Sequence, residues 1–531
     1  MNIPAVITLA CAVFIALVFM FLPWYNLTMY PPESDLINVA ATGAQLVFLR
    51  FNAYTLFLFL VPLASIVATA AGAVALWRPA IWREMALVGV LAGVASLLYF
   101  IITLILALSQ GISVGNLTQI GFWLAFIATV GLLIQIALPR QIPNPHTGQP
   151  ETHYAINAEE AMHWIYQFIL YPVGQMILFI LVASAILTVL AYLLAFLFPE
   201  PRPNIFLLDQ INKQLPDMII KGVTIGFVYA MIALGYTLVY GVLQFINFAH
   251  SEIFMFGAVI GFEVMDRLNQ SGHLAAWNPV LMVITVVLVA MFASGTLAVV
   301  IERVAYRPLR GAPRLVPLIS AIGISFFLID LVRAFEAITR NDFNLTYPMN
   351  RLDWAQVPAK IAFGETIVNI RPTQFIVVIG AVITLLILNY FVNGTKLGRG
   401  IRAVSQDMAT AGLMGVNVNR MISLTFFVGG AFGGAAGALF GMNVGTVTPF
   451  VGFFPGIKAF TAAVLGGIGS VTGALLGGLT LGLIETFLNG VLVYFPLFGQ
   501  RYTDIFAFSV LILILIFRPS GLLGERVDEK V

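Results

Sequence analysis

The chain predicts an all-α polytopic membrane protein: a helical bundle with a re-entrant or broken helix pair and one short helix held outside the bilayer. Three observations carry this. First, the 531 residues are 60% hydrophobic and only 9% charged, with a mean hydropathy of +0.98. That is too little charge to cover a soluble surface of this size. Second, several apolar runs reach spanning length, which takes roughly 20 residues. The runs are continuous rather than alternating, so helices and not a barrel satisfy the backbone in lipid. Third, the polar island Gly398–Met421 (GRGIRAVSQDMATAGLMGVNVNRM) separates two such runs. Its centre can form one helix, too short and too charged to cross, and suited to docking against something in water.

The elements follow in order. A first block, residues 1–200, has apolar runs near 5–23, 52–77, 85–108, 117–138 and 168–198, or about five helices. No lysine or arginine precedes the first run, so it reads as a retained anchor rather than a cleaved leader. Residues 201–216 read as a linker, because Pro199, Pro201 and Pro203 stand with four charged residues in the stretch Pro199–Pro216. A second block, 217–531, has runs near 221–241, 243–263, 279–301, 315–335, 373–392, 421–442, 459–488 and 505–517, giving eight to nine membrane segments. The polar excursion Glu336–Pro372 is its largest loop.

Orientation follows from the bias of basic residues to the cytoplasmic side. Arg303, Arg307, Arg310 and Arg314 crowd one loop, Lys396, Arg399, Arg402 and Arg420 another, and Arg518, Arg526 and Lys530 the C-terminal stretch. All three are expected inside, and 336–372 outside. The segment 459–488 must then cross an even number of times, yet two straight crossings need about 40 residues. A re-entrant or broken pair hinged at Gly466, Gly467, Gly469 and Ser470 resolves the conflict, with irregular backbone beside protein or a water-filled cavity.

Gly429, Gly433, Gly437 and Gly441 keep a four-residue spacing and draw one small stripe along a helix. Gly469, Gly473 and Gly477, and Gly478 and Gly482, repeat the device. Close helix packing is the plain reading, and sliding during gating the functional one. Asn247, His250, Ser251 and Glu252 interrupt the apolar run Phe245–Gly257. They read as an internal network, as residues near the cytoplasmic interface, or as groups that handle substrate or protons. Glu302 is expected to pair locally with Arg303.

No catalytic residue, cofactor or metal site is expected. The chain has no HExxH, no cysteine pair beside the single Cys11, and no phosphate-binding GxxxxGK[ST] loop. His146, His153 and His163 share a loop without a metal-ligand spacing, and Glu159 with His163 reads as a solvated face. The net charge of +2 without a basic tract argues against nucleic acid.

Five stretches in the right order now carry a resemblance: Lys221–Ala258 (KGVTIGFVYAMIALGYTLVYGVLQFINFAHSEIFMFGA), Glu302–Leu328, the island Gly398–Met421, Pro455–Glu485 (PGIKAFTAAVLGGIGSVTGALLGGLTLGLIE) and Phe517–Gly524 (FRPSGLLG). Together, over about 217–531, they resemble permeases of branched-chain amino acid ABC transporters of the LivH type. The family usually has glycine where this chain has Ser251. Residues 1–200 carry no such motif and form an added membrane block.

The resemblance implies an ATP-driven importer in a bacterial or archaeal plasma membrane. It implies a second permease subunit, two cytoplasmic ATPase subunits and an extracytoplasmic substrate-binding protein. The helix within Ser405–Gly415 then corresponds to the coupling helix seated on an ATPase subunit. Asp407 would complement its dipole, Ala411 leave room for docking, Gly415 end it in a left-handed turn, and Arg402 pair with partner acids or lipid. Substrates of related systems include branched-chain and other amino acids, urea and short amides. A secondary transporter or channel using His250 and Glu252 as a proton relay, and a membrane-embedded enzyme, are the rival readings.

Overall fold

The computed structural model describes residues 3–28, 38–49, 57–77, 82–109, 117–134, 140–143, 150–153, 166–201, 205–245, 247–274, 277–313, 315–356, 358–363, 366–467, 469–495, 502–517 and 521. His146, Glu159, His163, Arg314, Arg518, Arg526 and Lys530 lie outside them. Among the described residues, nine helices are long and apolar enough to cross a bilayer, and four shorter apolar helices accompany them. The all-α reading therefore stands. Contacts divide the chain into two compact units, Met1–Ile165 with Gly272–Ile284, and Tyr166–Ser271 with Thr285–Val531.

The first unit contains α1 (Ile3–Phe21), the hairpin β1 (Pro23–Thr28) and β2 (Asn38–Thr42), α2 (Gly43–Leu49), α3 (Leu60–Trp77), α4 (Trp82–Ser109), α5 (Ile120–Ile134) and the hairpin β3 (Arg140–Pro143) and β4 (Pro150–His153). Its core gathers Ile15, Val18, Phe19, Trp24, Tyr99, Phe100 and Phe122. Trp24 is its centre, edge-on to Phe19 and Phe122 and stacked on Phe100. Buried hydroxyls are satisfied between helices: Ser65 donates to the Ala12 carbonyl at 2.7 Å, and Ser96 shares a hydrogen bond with Thr129.

The second unit begins with α6 (Tyr171–Leu197), α7 (Leu207–Leu243), α8 (His250–Gln270), α9 (Pro279–Ile301, whose later residues belong here) and α10 (Leu315–Thr339). The excursion 336–372 holds β5 (Leu345–Thr346), α11 (Asp353–Gln356), β6 (Ala359–Phe363) and β7 (Thr366–Ile370). Then come α12 (Pro372–Gly394), α13 (Lys396–Gln406), α14 (Met408–Leu413), α15 (Val418–Val444), β8 (Thr446–Val447), α16 (Phe453–Gly466), α17 (Val471–Leu492) and α18 (Thr503–Phe517). Strand β8 pairs with β5, tying the end of α15 to the excursion.

Two boundaries differ from the sequence reading. The fifth apolar run, α6, packs with the second unit: Leu187, Ala191 and Ala195 meet Leu207, Ile211, Leu483 and Phe487. The expected linker 201–216 is helical from Leu207, with Pro216 inside α7. An interior proline costs about 3 kcal/mol. Burial of Leu207, Ile211 and Leu215 offsets it, as do hydrogen bonds between Tyr494 and the amides of Gln210 and Gln214.

Glycine brings the central helices into backbone contact. Gly478 and Gly482 of α17 lie on Ala230 and Gly226 of α7. The α15 stripe is shared among neighbours: Gly429 faces Gly235, Gly433 the His250 ring, Gly437 the backbone of Phe254 and Ala258, and Gly441 the Tyr347 ring. Such helices can approach because no side chain stands between them.

Glu302 is a further correction. It pairs with Arg310 and lies 3.8 Å from Arg307, and it accepts a hydrogen bond from Ser423 at 2.7 Å. Adjacent residues on a helix point apart. The π turn Glu302–Tyr306 and the 3-10 turn Arg307–Leu309 instead fold Arg310 back over the carboxylate.

Candidate functional site

The polar island is a compact two-helix hook. Gly398 lets α13 turn back on α12, since a β-carbon there would strike the Phe391 and Val392 carbonyls. The Thr395 hydroxyl accepts from the Gly398 amide at 3.0 Å and caps α13. Ile401 and Val404 turn inward, and the Arg402 guanidinium donates to the Val392 carbonyl at 2.9 Å and to Asn393 Oδ1 at 2.6 Å. Arg402 therefore braces the hook from within its own chain.

Asp407 stands between α13 and α14. Its carboxylate accepts from the Ala409 amide (2.9 Å), the Thr410 amide (3.1 Å) and the Thr410 hydroxyl (2.5 Å). These bonds, the hydroxyl's first, hold its carboxyl below the usual aspartate range. The cap is therefore complete above that range and is lost as pH falls through the depressed value. Asp407→Ala is expected to expose the Ala409 and Thr410 amides at neutral pH, as acid does for the wild type. Hydrogen exchange resolved to α14 checks this, and protection unchanged in the variant contradicts it.

Ala411 is buried against the hook's own core, beside Ile401, Val404 and Met421. It is not on the outward face, as the docking reading required. The reason is register: α14 has six residues, and the chain reverses after it through Gly415 at φ +83°, with the Val416 amide donating to the Ala411 carbonyl at 3.0 Å. The outward tip is Leu413 and Met414, which are 89% and 81% exposed. Sequence reading missed both, though the pair LM in a polar island was its visible trace.

The polar cluster of α8 lies deep. The His250 ring sits against Gly235, eight residues before the end of α7, or about 12 Å along the helix. The His250 side chain is therefore buried beside α7 rather than at its end: α7 ends in a left-handed Gln244, and α8 starts alongside α7, two turns before that end. Asn247 Oδ1 accepts from the Tyr306 hydroxyl at 2.6 Å, and Glu252 Oε1 from Ser251 and Ser325. Asn247 Nδ2, His250 Nε2 and Glu252 Oε2 find no partner among the described residues.

The hinge is where the sequence put it. Gly467 and Gly469 adopt φ +103° and +97°, and the Ser470 hydroxyl accepts from the Gly473 amide at 3.0 Å to cap α17. Gly466 touches Gly473, and Gly477 touches Ala462, so the two arms close on each other. Gly452 and Gly456, at the start of α16, reach Ser251. Helix α16 thus starts at the depth of the α8 polar cluster and is only 14 residues long.

Above that late start opens a cavity of about 1440 Å³, walled by α7, α12, α15, α16 and α17. Its wall includes Tyr229, Lys458 and Glu485, and none of Asn247, His250, Glu252, Gly466, Gly467, Gly469 or Ser470. Lys458 Nζ lies 2.8 Å from both Glu485 Oε1 and Asp504 Oδ1, and the Tyr229 hydroxyl donates to Glu485 Oε2 at 2.9 Å. These charges were not singled out from the sequence, because α16, α17 and α18 contribute one each.

A polytopic bundle with a wide, partly charged cavity and a helical hook between two spans is the architecture of a membrane permease. The chain belongs to the family described as branched-chain amino acid transport system / permease component, which matches residues 218–515. It is 42% identical over 318 residues to the high-affinity branched-chain amino acid transport system permease protein BraD of Pseudomonas aeruginosa, covering 59% of this chain and 97% of that one. It is 39% identical over 312 residues to the corresponding protein LivH of Escherichia coli, covering 59% and 96%. A shorter match, 38% over 133 residues, reaches the fructose import permease protein FrcC of Rhizobium meliloti, covering 23% and 36%. No solved structure matches the chain.

Proposed function

We propose that this chain is the membrane-spanning permease subunit of an ATP-driven importer for branched-chain amino acids. The near full-length match to two permeases named for that transport carries the reading. The hook supports it, because Leu413 and Met414 stand exposed at its tip and are available to a partner. In this scheme the basic loops and the hook face the cytoplasm of a bacterial or archaeal plasma membrane. Two ATPase subunits, one gripping Leu413 and Met414, supply the energy. A second permease completes the pore, and an extracytoplasmic protein delivers substrate to the cavity. Transport proceeds by alternating access, with the hook passing nucleotide-dependent movement to α12 and α15. Residues up to 165 are an added membrane block, and the permease proper runs from α7 onward with α6 packed against it. Urea or short amides are the alternative cargo.

The test is transport. The full chain, co-purified with its co-encoded partners in proteoliposomes, is expected to accumulate L-leucine only with ATP and regardless of a proton gradient. Uptake that follows the proton gradient and ignores ATP would falsify the proposal.

A further inference from the structure

The cavity carries a charge arrangement that the family match does not explain. Lys458, Glu485 and Tyr229 share its wall, and Asp504 backs Lys458 from α18. An ammonium has three N–H donors, and the contacts to Glu485 and Asp504 use two. One donor therefore remains for the cavity. A carboxylate has about four acceptor positions; Lys458 and Tyr229 occupy two on Glu485, one per oxygen. Each Glu485 oxygen thus keeps acceptor capacity. A free donor on a cation and free acceptors on an anion stand side by side, and Phe440, Met442, Phe454 and Pro455 also line the cavity.

We infer that this corner is a way station for a zwitterion: Lys458 takes the α-carboxylate of an amino acid, Glu485 with Tyr229 takes its α-ammonium, and the apolar wall takes its aliphatic side chain. The corner's own charges form an ion pair, and an incoming amino acid exchanges into that pair with matching charges. A neutral amide or urea offers neither charge, so the corner selects amino acids within the transport reading, on which it rests. At about 1440 Å³ the cavity exceeds the usual range for small-ligand pockets, roughly 300–1,000 Å³. The station holds its cargo by charge first and is enclosed only when the walls move.

The rival is a purely structural lock joining α16, α17 and α18. Buried ion pairs are often replaced by apolar residues of similar volume without loss of stability. Asp504, left without its cation, is 45% exposed, so the double variant leaves no fully buried unpaired charge. The double variant Lys458→Met/Glu485→Leu therefore satisfies a lock but leaves nothing for a zwitterion. In the complete complex in proteoliposomes, it is expected to assemble in wild-type amount while L-leucine uptake falls about tenfold or more, the scale of a lost buried charge contact. Lys458→Arg, which keeps the cation, is expected to retain part of the uptake. Should the double variant assemble poorly, Glu485→Gln, which keeps the shape, is read per unit of recovered complex and is expected to show the same loss. Uptake within about twofold of wild type in whichever variant assembles, smaller than any charge contact of this kind, overturns the station and leaves the transport reading intact. A wild-type complex that carries no L-leucine with ATP overturns both.

Discussion

Leu413→Asp/Met414→Asp is expected to abolish ATP-dependent uptake while leaving the bundle folded. Both side chains point away from the chain at the tip of the hook. Exposed substitutions of this kind change stability little, by about 0.5 kcal/mol or less. Against a partner they are costly. Burying two large apolar side chains contributes about 3–6 kcal/mol together, so removing them weakens docking on the order of a hundredfold to ten-thousandfold. Two carboxylates buried in their place oppose docking further. The measurement is recovery of ATPase subunits with the tagged permease, alongside uptake. Normal recovery and normal uptake would show that the tip is not the grip. Ala411 supplies the contrast. It is buried among Ile401, Val404 and Met421, so a bulky residue there disorders the hook itself, and any loss of transport would follow from misfolding.

Gly437→Leu is expected to prevent the chain from accumulating in the membrane. A β-carbon at Gly437 would land on the Phe254 carbonyl oxygen and close to the Ala258 amide nitrogen. Both are backbone atoms of α8 and cannot rotate aside, so α8 and α15 must separate. Overpacking a tight core costs roughly 1–3 kcal/mol, occasionally more, and separating two buried helices belongs at the upper end. The stripe is graded. At Gly429 the nearest neighbour of an added methyl is 3.3 Å away, and at Gly433 it is the edge of the His250 ring, also at 3.3 Å. Alanine at either position is expected to be tolerated far better than at Gly437. Gly323, with nothing within 4 Å, is the neutral control. Quantifying membrane-extracted, monodisperse protein for the series checks the order. Equal yields across it would mean that the contact between α8 and α15 adds little to stability.

Much of this was readable before any coordinates. Hydropathy and run length are properties of consecutive residues, so the all-α class, the order of the spans and a short helix within the island Gly398–Met421 follow from local sequence alone; that α13 precedes α14 there and the two form a hook does not. The hinge was legible for the same reason: Gly467 and Gly469 supply the positive φ that a tight reversal demands, and Ser470 is the residue type that caps a helix. The boundaries were less so. Pro216 speaks locally against a helix, and packing between α7 and α17 overrides it.

What only the tertiary structure decided lies between helices. Glu302 passes over its neighbour Arg303 for Arg310, His250 is buried against Gly235 of α7, and Ala411 faces inward while Leu413 and Met414 face out. Lys458, Glu485 and Asp504 meet although 27 and 46 residues separate Lys458 from its two partners (485 − 458 and 504 − 458). Helices that meet through glycine have almost no side-chain signature to announce their partner, depth or register. Which polar groups share a cavity is therefore set by how the backbones stack in three dimensions, and a single sequence records only that they are able to approach.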